Sequence, residues 1–193
     1  VPPQPRGDAP RRPKDDRPFG RGTWLPSLGF GLGFSQDLTS IGVGAGVSYF
    51  VVPGLAPGLR LDNTTLIWGD SVKREFEGIE DETPTNFFRV LPSLTWIVVR
   101  SRWVNPYVTG AVGPLIFNNG GGTIGEWQAA VGAFIRLGGP VYLDLGVSFS
   151  QPFPADRCRE AFRYTTADAN IDASGIGACE FAIGFVPGIA LLF

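Results

Sequence analysis

Between Ile41 and Tyr49 the chain reads Ile-Gly-Val-Gly-Ala-Gly-Val-Ser-Tyr, with bulky and small residues changing places at every step. A period of two sends successive side chains to opposite faces of an extended strand, whereas a helix repeats every 3.6 residues. The uncharged windows Ile41–Leu59 and Trp103–Gly125 are long enough to be weighed as membrane helices. A membrane helix has no reason to place glycine at alternate positions, so both windows read as strands. Gly42, Gly44 and Gly46 do not form a dinucleotide-binding loop either, because the residue three after Gly44 is Val47.

The same alternation recurs along the chain. A first strand places Trp24, Leu28, Phe30, Leu32 and Phe34 opposite Ser27, Gly29, Gly31 and Gly33, and a second carries Ile41 to Val51. Pro53–Gly58 is a turn by composition. A third strand, about Leu59–Trp68, sets Leu61 and Ile67 against Arg60, Asp62 and Thr64. The polar loop Gly69–Thr85 precedes a fourth, with Phe88, Val90, Leu94, Trp96 and Val98 against Arg89, Ser93 and Thr95. Arg100–Asn105 turns into a fifth, about Pro106–Phe117, whose two faces the pattern does not distinguish. After a loop over Asn118–Glu126, a sixth sets Trp127, Ala129, Val131, Ala133 and Ile135 against Gln128, Gly132 and Arg136. Gly138-Gly139-Pro140 is the clearest turn. The seventh places Val141, Leu143, Leu145, Val147 and Phe149 against Tyr142, Asp144, Gly146, Ser148 and Ser150. A long loop, Gln151–Ala178, leads to the eighth, Phe181–Phe193.

Strands of about ten residues, joined alternately by short turns and longer loops, predict an all-β fold: an eight-stranded antiparallel up-and-down transmembrane β-barrel over residues 22–193. Polarity sets its orientation. In a soluble ligand-binding barrel the polar stripe would face water and carry many Lys, Glu and Asp. Here that stripe is mostly Gly, Ser and Thr, which fit the crowded interior of a narrow barrel. Arg60, Asp62, Arg89, Arg136 and Asp144 all fall on the small-residue phase, and are expected inside. On the lipid face an Arg would cost roughly 2–4 kcal/mol at midplane. Asn63, Pro26, Pro92 and Pro187 fit less well and are expected near strand ends, bulges or phase shifts. Two aromatic girdles are expected: Trp24, Trp103, Tyr107 and Phe193 near the short turns, and Phe34, Trp68, Phe87, Trp127, Phe149 and Phe181 near the loops.

Composition narrows the function. Histidine is absent from all 193 residues, so no imidazole is available as a base, triad member or metal ligand, and no catalytic residue, cofactor or metal site is expected. The net charge of −2 argues against nucleic-acid binding. Residues 1–21 contain Pro2, Pro3, Pro5, Pro10, Pro13 and Pro18, with six cations against three anions. They read as a disordered N-terminal tail, unable to bury enough surface to offset ordering entropy. Arg6-Gly7-Asp8 within it reads as a chance tripeptide rather than an adhesion motif. With no methionine in the sequence, the expectation is that an N-terminal signal has been removed. In the acidic stretch Gly69–Thr85, Asp70, Glu75, Glu77, Glu80, Asp81 and Glu82 oppose Lys73 and Arg74. It reads as a solvated face, with divalent-cation or cationic-partner binding as the alternative.

The terminal segment Phe181-Ala-Ile-Gly-Phe-Val-Pro-Gly-Ile-Ala-Leu-Leu-Phe193 and the run Asn105-Pro106-Tyr107-Val108-Thr109-Gly110-Ala111-Val112-Gly113 resemble the small outer-membrane β-barrels of Gram-negative bacteria, of the OmpA/OmpX type. The resemblance implies that Phe193 ends a signal for the outer-membrane assembly machinery. It also implies termini and short turns in the periplasm, and long loops outside the cell. Implied partners are membrane lipids, including outer-leaflet lipopolysaccharide, and other envelope proteins. Because the sequence ends at Phe193, no peptidoglycan-binding domain is expected to follow. An oxidising periplasm permits a Cys158–Cys179 disulfide, worth about 3 kcal/mol in the chain-entropy model. A metal or thiol-catalytic role for this pair lacks partners. The expected function is a non-enzymatic structural, surface-exposed or scaffold barrel acting through its loops or tail. The alternatives are a narrow channel for ions or small solutes and a lipid-modifying or proteolytic barrel enzyme.

Overall fold

The structure is a computed structural model and describes residues 17–34, 38–75, 84–118, 122–161, 163–165, 170–172, 179 and 181–193. Its strands are β1 (Trp24–Phe34), β2 (Leu38–Tyr49), β3 (Leu55–Trp68), β4 (Asn86–Ile97), β5 (Val104–Phe117), β6 (Thr123–Gly138), β7 (Val141–Phe153), the short β8 (Arg163–Thr165) and β9 (Asn170–Asp172), and β10 (Ala182–Leu191). Helix α1 (Asp70–Glu75) follows β3, and α2 (Ala155–Ala161) follows β7. The eight long strands close as a barrel in the order β1-β10-β7-β6-β5-β4-β3-β2, every pairing antiparallel, while β8 and β9 pair with each other. Among the described residues no helix is long and apolar enough to cross a membrane.

Side-chain orientation follows the alternation. Leu28, Phe30, Leu32, Ile41, Val43, Leu61, Leu94, Trp96, Val131, Ile183, Phe185 and Ile189 stand exposed on the outer wall. Such a wall is unstable in water and stable in hydrocarbon, so the barrel has the polarity of a membrane protein. The start of β1 and the last residue meet at the short-turn end, where Trp24 and Phe193 exchange backbone hydrogen bonds of 2.9 and 3.0 Å. The connections after β1, β3, β5 and β7 gather at the opposite end, called here the loop end.

Two hydrophobic clusters cap the interior. At the turn end Phe19, Leu25, Phe50, Ile97, Tyr107, Phe134 and Tyr142 pack together. At the loop end Leu66, Phe87, Leu115, Phe117 and Ile124 enclose Cys158 and Cys179, which form the expected disulfide and join α2 to the segment entering β10.

Several expectations are corrected. Residues 17–21, assigned to the tail, belong to the barrel: Phe19 is fully buried, and its ring packs against those of Phe50, Phe134 and Tyr142. Its φ of 59° is uncommon for a non-glycine residue and places the ring in the barrel mouth. The disorder expected for residues 1–16, and the tripeptide among them, lie outside the described residues, as do Glu77, Glu80, Asp81 and Glu82. The side chain of Phe34 also lies outside the described residues.

In β5, Asn105, Tyr107, Leu115 and Phe117 face inward while Val104, Val108, Val112 and Ile116 face out, settling the strand that the sequence left open. Trp68 (2% exposed), Tyr107 (6%) and Phe87 (6%) therefore point into the barrel and do not belong to the girdles. Trp24, Trp103, Phe181 and Phe193 stand outside, and Trp127 is half-buried against Phe181, with ring centroids 6.2 Å apart.

Pro26 lies near the start of β1, and Pro92 and Pro187 fall at ladder irregularities, as expected. The β4–β5 pairing skips from Arg89–Leu115 to Ser93–Ala111 across Pro92, and the β1–β10 pairing stops next to Pro187. Proline offers no N–H to a ladder, which accounts for both. Asn63 is held within β3 by reciprocal 3.0 Å hydrogen bonds with Asn86.

The polarity predicts an asymmetric response to charge. Val131→Arg, on the outer wall, should lower stability in lipid vesicles by roughly 2–4 kcal/mol, read as an earlier midpoint in urea. An unchanged midpoint would contradict the assignment of that face to lipid.

Candidate functional site

Between the two caps lies a layer of polar side chains. Arg60 Nε donates to Asp62 Oδ1 at 2.9 Å, and a terminal nitrogen of Arg60 reaches Gln128 Oε1 at 3.3 Å. Arg89 Nε donates to Glu126 Oε2, and its Nη1 donates to Thr64 Oγ1 at 2.7 Å. Nearer the turn end, Tyr107 donates its hydroxyl to Asp144 Oδ1 at 2.8 Å, and the hydroxyls of Thr95 and Thr109 lie 2.9 Å apart.

The backbone explains how these long groups fit. Residues of β3, β4, β5, β6 and β7 on the inward phase converge across a narrow lumen, so opposite strands must leave room. Small residues provide it. A Cβ on Gly132 or Gly146 would stand 2.7 or 2.6 Å from the Tyr107 hydroxyl, a distance real Cβ atoms do not adopt. Those two glycines clear the path along which Tyr107 crosses to Asp144.

Of the charges expected inside, Arg60, Asp62, Arg89 and Asp144 are brought into this layer. Arg136 shares their phase but sits at the turn-end rim, where its Nε donates to the Gly139 carbonyl at 3.2 Å. It does not join the interior network.

Glu126 is the residue the sequence reading missed. Composition assigns it to the loop Asn118–Glu126, yet it is buried two positions before Gln128 on the same face. Continuing the alternation backwards from Gln128 through Glu126 to Ile124 would have found it. A lone glutamate in barrel lining needs a cation, and Arg89 was already available.

Beside the layer, a half-open cavity of about 450 Å³ lies in the loop-end half of the barrel and reaches the outer wall at Phe30, Leu32, Ile183 and Phe185. Its lining includes Gly29, Gly31, Gly42, Gly44 and Gly184 as well as Arg60, Asp62, Arg89, Gln128, Ser148 and Ser150. A much smaller cavity of about 80 Å³ continues towards Tyr107 and Phe134. Aromatic packing then closes the way, with the Tyr107 and Phe134 rings stacked at 4.6 Å and Phe19 beneath them. Among the described residues no group of three or more His, Cys, Asp or Glu is placed to hold a metal ion. What the layer can do chemically is hydrogen-bond and balance charge: it pairs two guanidinium groups with two carboxylates and leaves donors on both arginines.

The fold has counterparts among solved structures. The N-terminal β-barrel domain of Pseudomonas aeruginosa OprF matches with a TM-score of 0.53 and 8% identity, over 90% of this chain and 99% of that one. Neisserial surface protein A matches with a TM-score of 0.53 and 10% identity, over 89% of this chain and 97% of that one. No family model matches the chain, and no curated protein matches its sequence. At these identities the likeness is one of fold: the chain has the architecture of the small eight-stranded outer-membrane barrels.

The buried Arg89–Glu126 pair gives a stability prediction. Arg89→Met alone leaves a buried carboxylate without its cation and should cost about 3–5 kcal/mol. The double variant Arg89→Met/Glu126→Gln should recover most of that loss in urea unfolding from vesicles. Equal losses in single and double variants would show that the pair is not coupled.

Proposed function

We propose that the protein is a non-enzymatic, non-conducting barrel of the Gram-negative outer membrane. In this reading the termini and short turns lie in the periplasm and the loop end lies outside the cell. The protein acts as a surface-exposed or scaffold component of the envelope through its outer loops and N-terminal tail. The observation that carries the reading is aromatic closure at the turn end, where the Phe19 cluster packs across the barrel mouth. At the loop end the cluster around Cys158 and Cys179 packs against β3 to β6. An interior closed at the turn end and crossed by ion pairs favours a structural body over a conduit.

The disulfide supports an oxidising compartment, and by tethering α2 to the start of β10 it holds part of the outermost chain against the barrel. Lipid contact follows from the outer wall. Lipopolysaccharide and the outer-membrane assembly machinery are the partners that this location and the terminal Phe193 favour. The lack of histidine supports a non-enzymatic role, because the interior acids and bases are engaged with one another. A second reading, a narrow path for ions or small solutes, draws on the 450 Å³ cavity and its continuation towards Tyr107.

Planar-bilayer recording separates the two readings. The purified barrel should insert without steady single-channel steps, and reproducible steps of one amplitude would overturn the non-conducting reading. The tether is tested separately. Cys158→Ser/Cys179→Ser should keep the heat-sensitive gel mobility of a folded barrel while residues 154–181 are cleaved at least several-fold faster by added protease. Unchanged cleavage would remove the disulfide from the account of the surface.

A further inference from the structure

The barrel is closed unevenly. Across the seam between the first and last barrel strands, the ladder consists of Ser27–Ala190, Leu28–Ile189 and Gly29–Gly188. Beyond Gly29, β1 continues to Phe34 fully paired with β2, and beyond Gly188, β10 continues to Ala182 fully paired with β7. Among the described residues no pair joins β1 to β10 along that loop-end stretch. The sequence explains why the ladder stops. Continued register would set Pro187, which has no N–H, opposite Phe30, and glycines on both strands provide no cross-strand side-chain pairs to compensate.

Such a seam is a physical anomaly in a membrane. Backbone groups exposed to hydrocarbon cost several kcal/mol each when unsatisfied, so open sheet edges do not face lipid. Something polar has to lie at this one. Directly behind it is the 450 Å³ cavity, to which Gly31 and Gly184 contribute from the two sides of the seam. In front of it stand Phe30, Leu32, Ile183 and Phe185, among the most exposed apolar side chains of the protein, Ile183 at 67%. The strands remain close, since a Cβ on Gly31 would lie 3.8 Å from the Phe185 carbonyl oxygen. The seam is therefore a slit that spreads rather than a standing gate. It is a short route between lipid and the polar interior, because the cavity lining runs from Phe30 and Phe185 on the outer wall to Arg60 and Arg89 within.

We propose that this seam is a binding site for one membrane phospholipid with a zwitterionic head. The acyl chains lie outside against Phe30, Leu32, Ile183 and Phe185, and the head passes between β1 and β10 into the cavity. Arg60 and Arg89 supply the phosphate contacts. Each guanidinium has five N–H donors, and the hydrogen bonds of each use two. Asp62, buried and accepting from Arg60, has acceptor capacity left for the ammonium group. The charges select the head. Arg60 and Arg89 are balanced by Asp62 and Glu126, and Asp144 is held by the Tyr107 hydroxyl, so a head of zero net charge adds no charge to the layer, whereas an anionic head adds an unmatched one to a low-dielectric site. The site stands independently of whether the loops or the tail bind a protein.

The test uses the whole chain in detergent, with native mass spectrometry as the readout. Phosphatidylethanolamine should be retained at one molecule per barrel and at least tenfold more strongly than phosphatidylglycerol. Chain-free glycerophosphoethanolamine and inorganic phosphate should not be retained. The variant Gly31→Cys/Val186→Cys, oxidised to stitch the seam and checked for folding by heat-sensitive gel mobility, should lose the lipid at least tenfold. The single variant Gly31→Cys, folded by the same criterion, should keep it. Equal retention by stitched and unstitched barrels, preference for the anionic lipid, or binding of the chain-free head alone would each overturn the proposal.

Discussion

Backbone hydrogen bonding inside hydrocarbon governs this structure. A sheet that must leave no edge in lipid has to close on itself. With eight strands the closed sheet leaves an interior just wide enough for side chains. The rest follows from that narrowness. Residues facing out must be apolar, residues facing in must be small or must reach a partner, and an ionisable group admitted inside needs a counter-charge or a hydrogen-bond donor beside it, as Asp144 has in Tyr107. The Arg60–Asp62 and Arg89–Glu126 pairs are the result. The stretch of the β1–β10 seam above Gly29 and Gly188 stands out because, unlike the short internal gap between β4 and β5, it runs unpaired to the loop-end limit of both strands.

Glycine has a different task on the two kinds of interior wall. At Gly132 and Gly146 it makes way for a large side chain crossing from β5. Gly44 likewise makes way for the Asp62 carboxylate, whereas at Gly29, Gly31, Gly42 and Gly184 no long side chain crosses and the space remains as the loop-end cavity. The barrel is consequently packed on the side of β4 to β7 and hollow on the side of β1, β2 and β10. Aromatic packing closes the turn end, and the disulfide-bound cluster packs on the β3 to β6 side of the loop end.

Much of this was legible in the sequence because the strand period is two and one face is subject to a severe penalty. The strands, their number, the orientation of seven of them, the inward phase of Arg60, Asp62, Arg89 and Asp144, and the Cys158–Cys179 pair could all be read from alternation and composition. β5 could not, because bulky apolar residues stand on both of its phases, Val104, Val108, Val112 and Ile116 on one and Tyr107, Leu115 and Phe117 on the other, each phase also holds a glycine, and neither carries a charge. Tyr107 and Trp68 were misplaced for a related reason. An aromatic is equally at home in an interfacial girdle and in a hydrophobic cap, and only the phase of its strand decides. Phe19 was hidden by its neighbours: a lone aromatic after a run of Pro and Arg has no periodicity to reveal it. Glu126 was lost because glycines and a polar threonine around it imitate a loop.

The central claim is that alternate residues face lipid and lumen, and β5, whose facing the sequence does not give, tests it most directly. Single nitroxide labels placed in turn at positions 104 to 112, in barrels reconstituted into lipid vesicles, report collisions with oxygen dissolved in the bilayer. The account predicts a period of two, with even-numbered positions accessible to oxygen and odd-numbered positions shielded. A flat profile, or one with odd positions accessible, would contradict it.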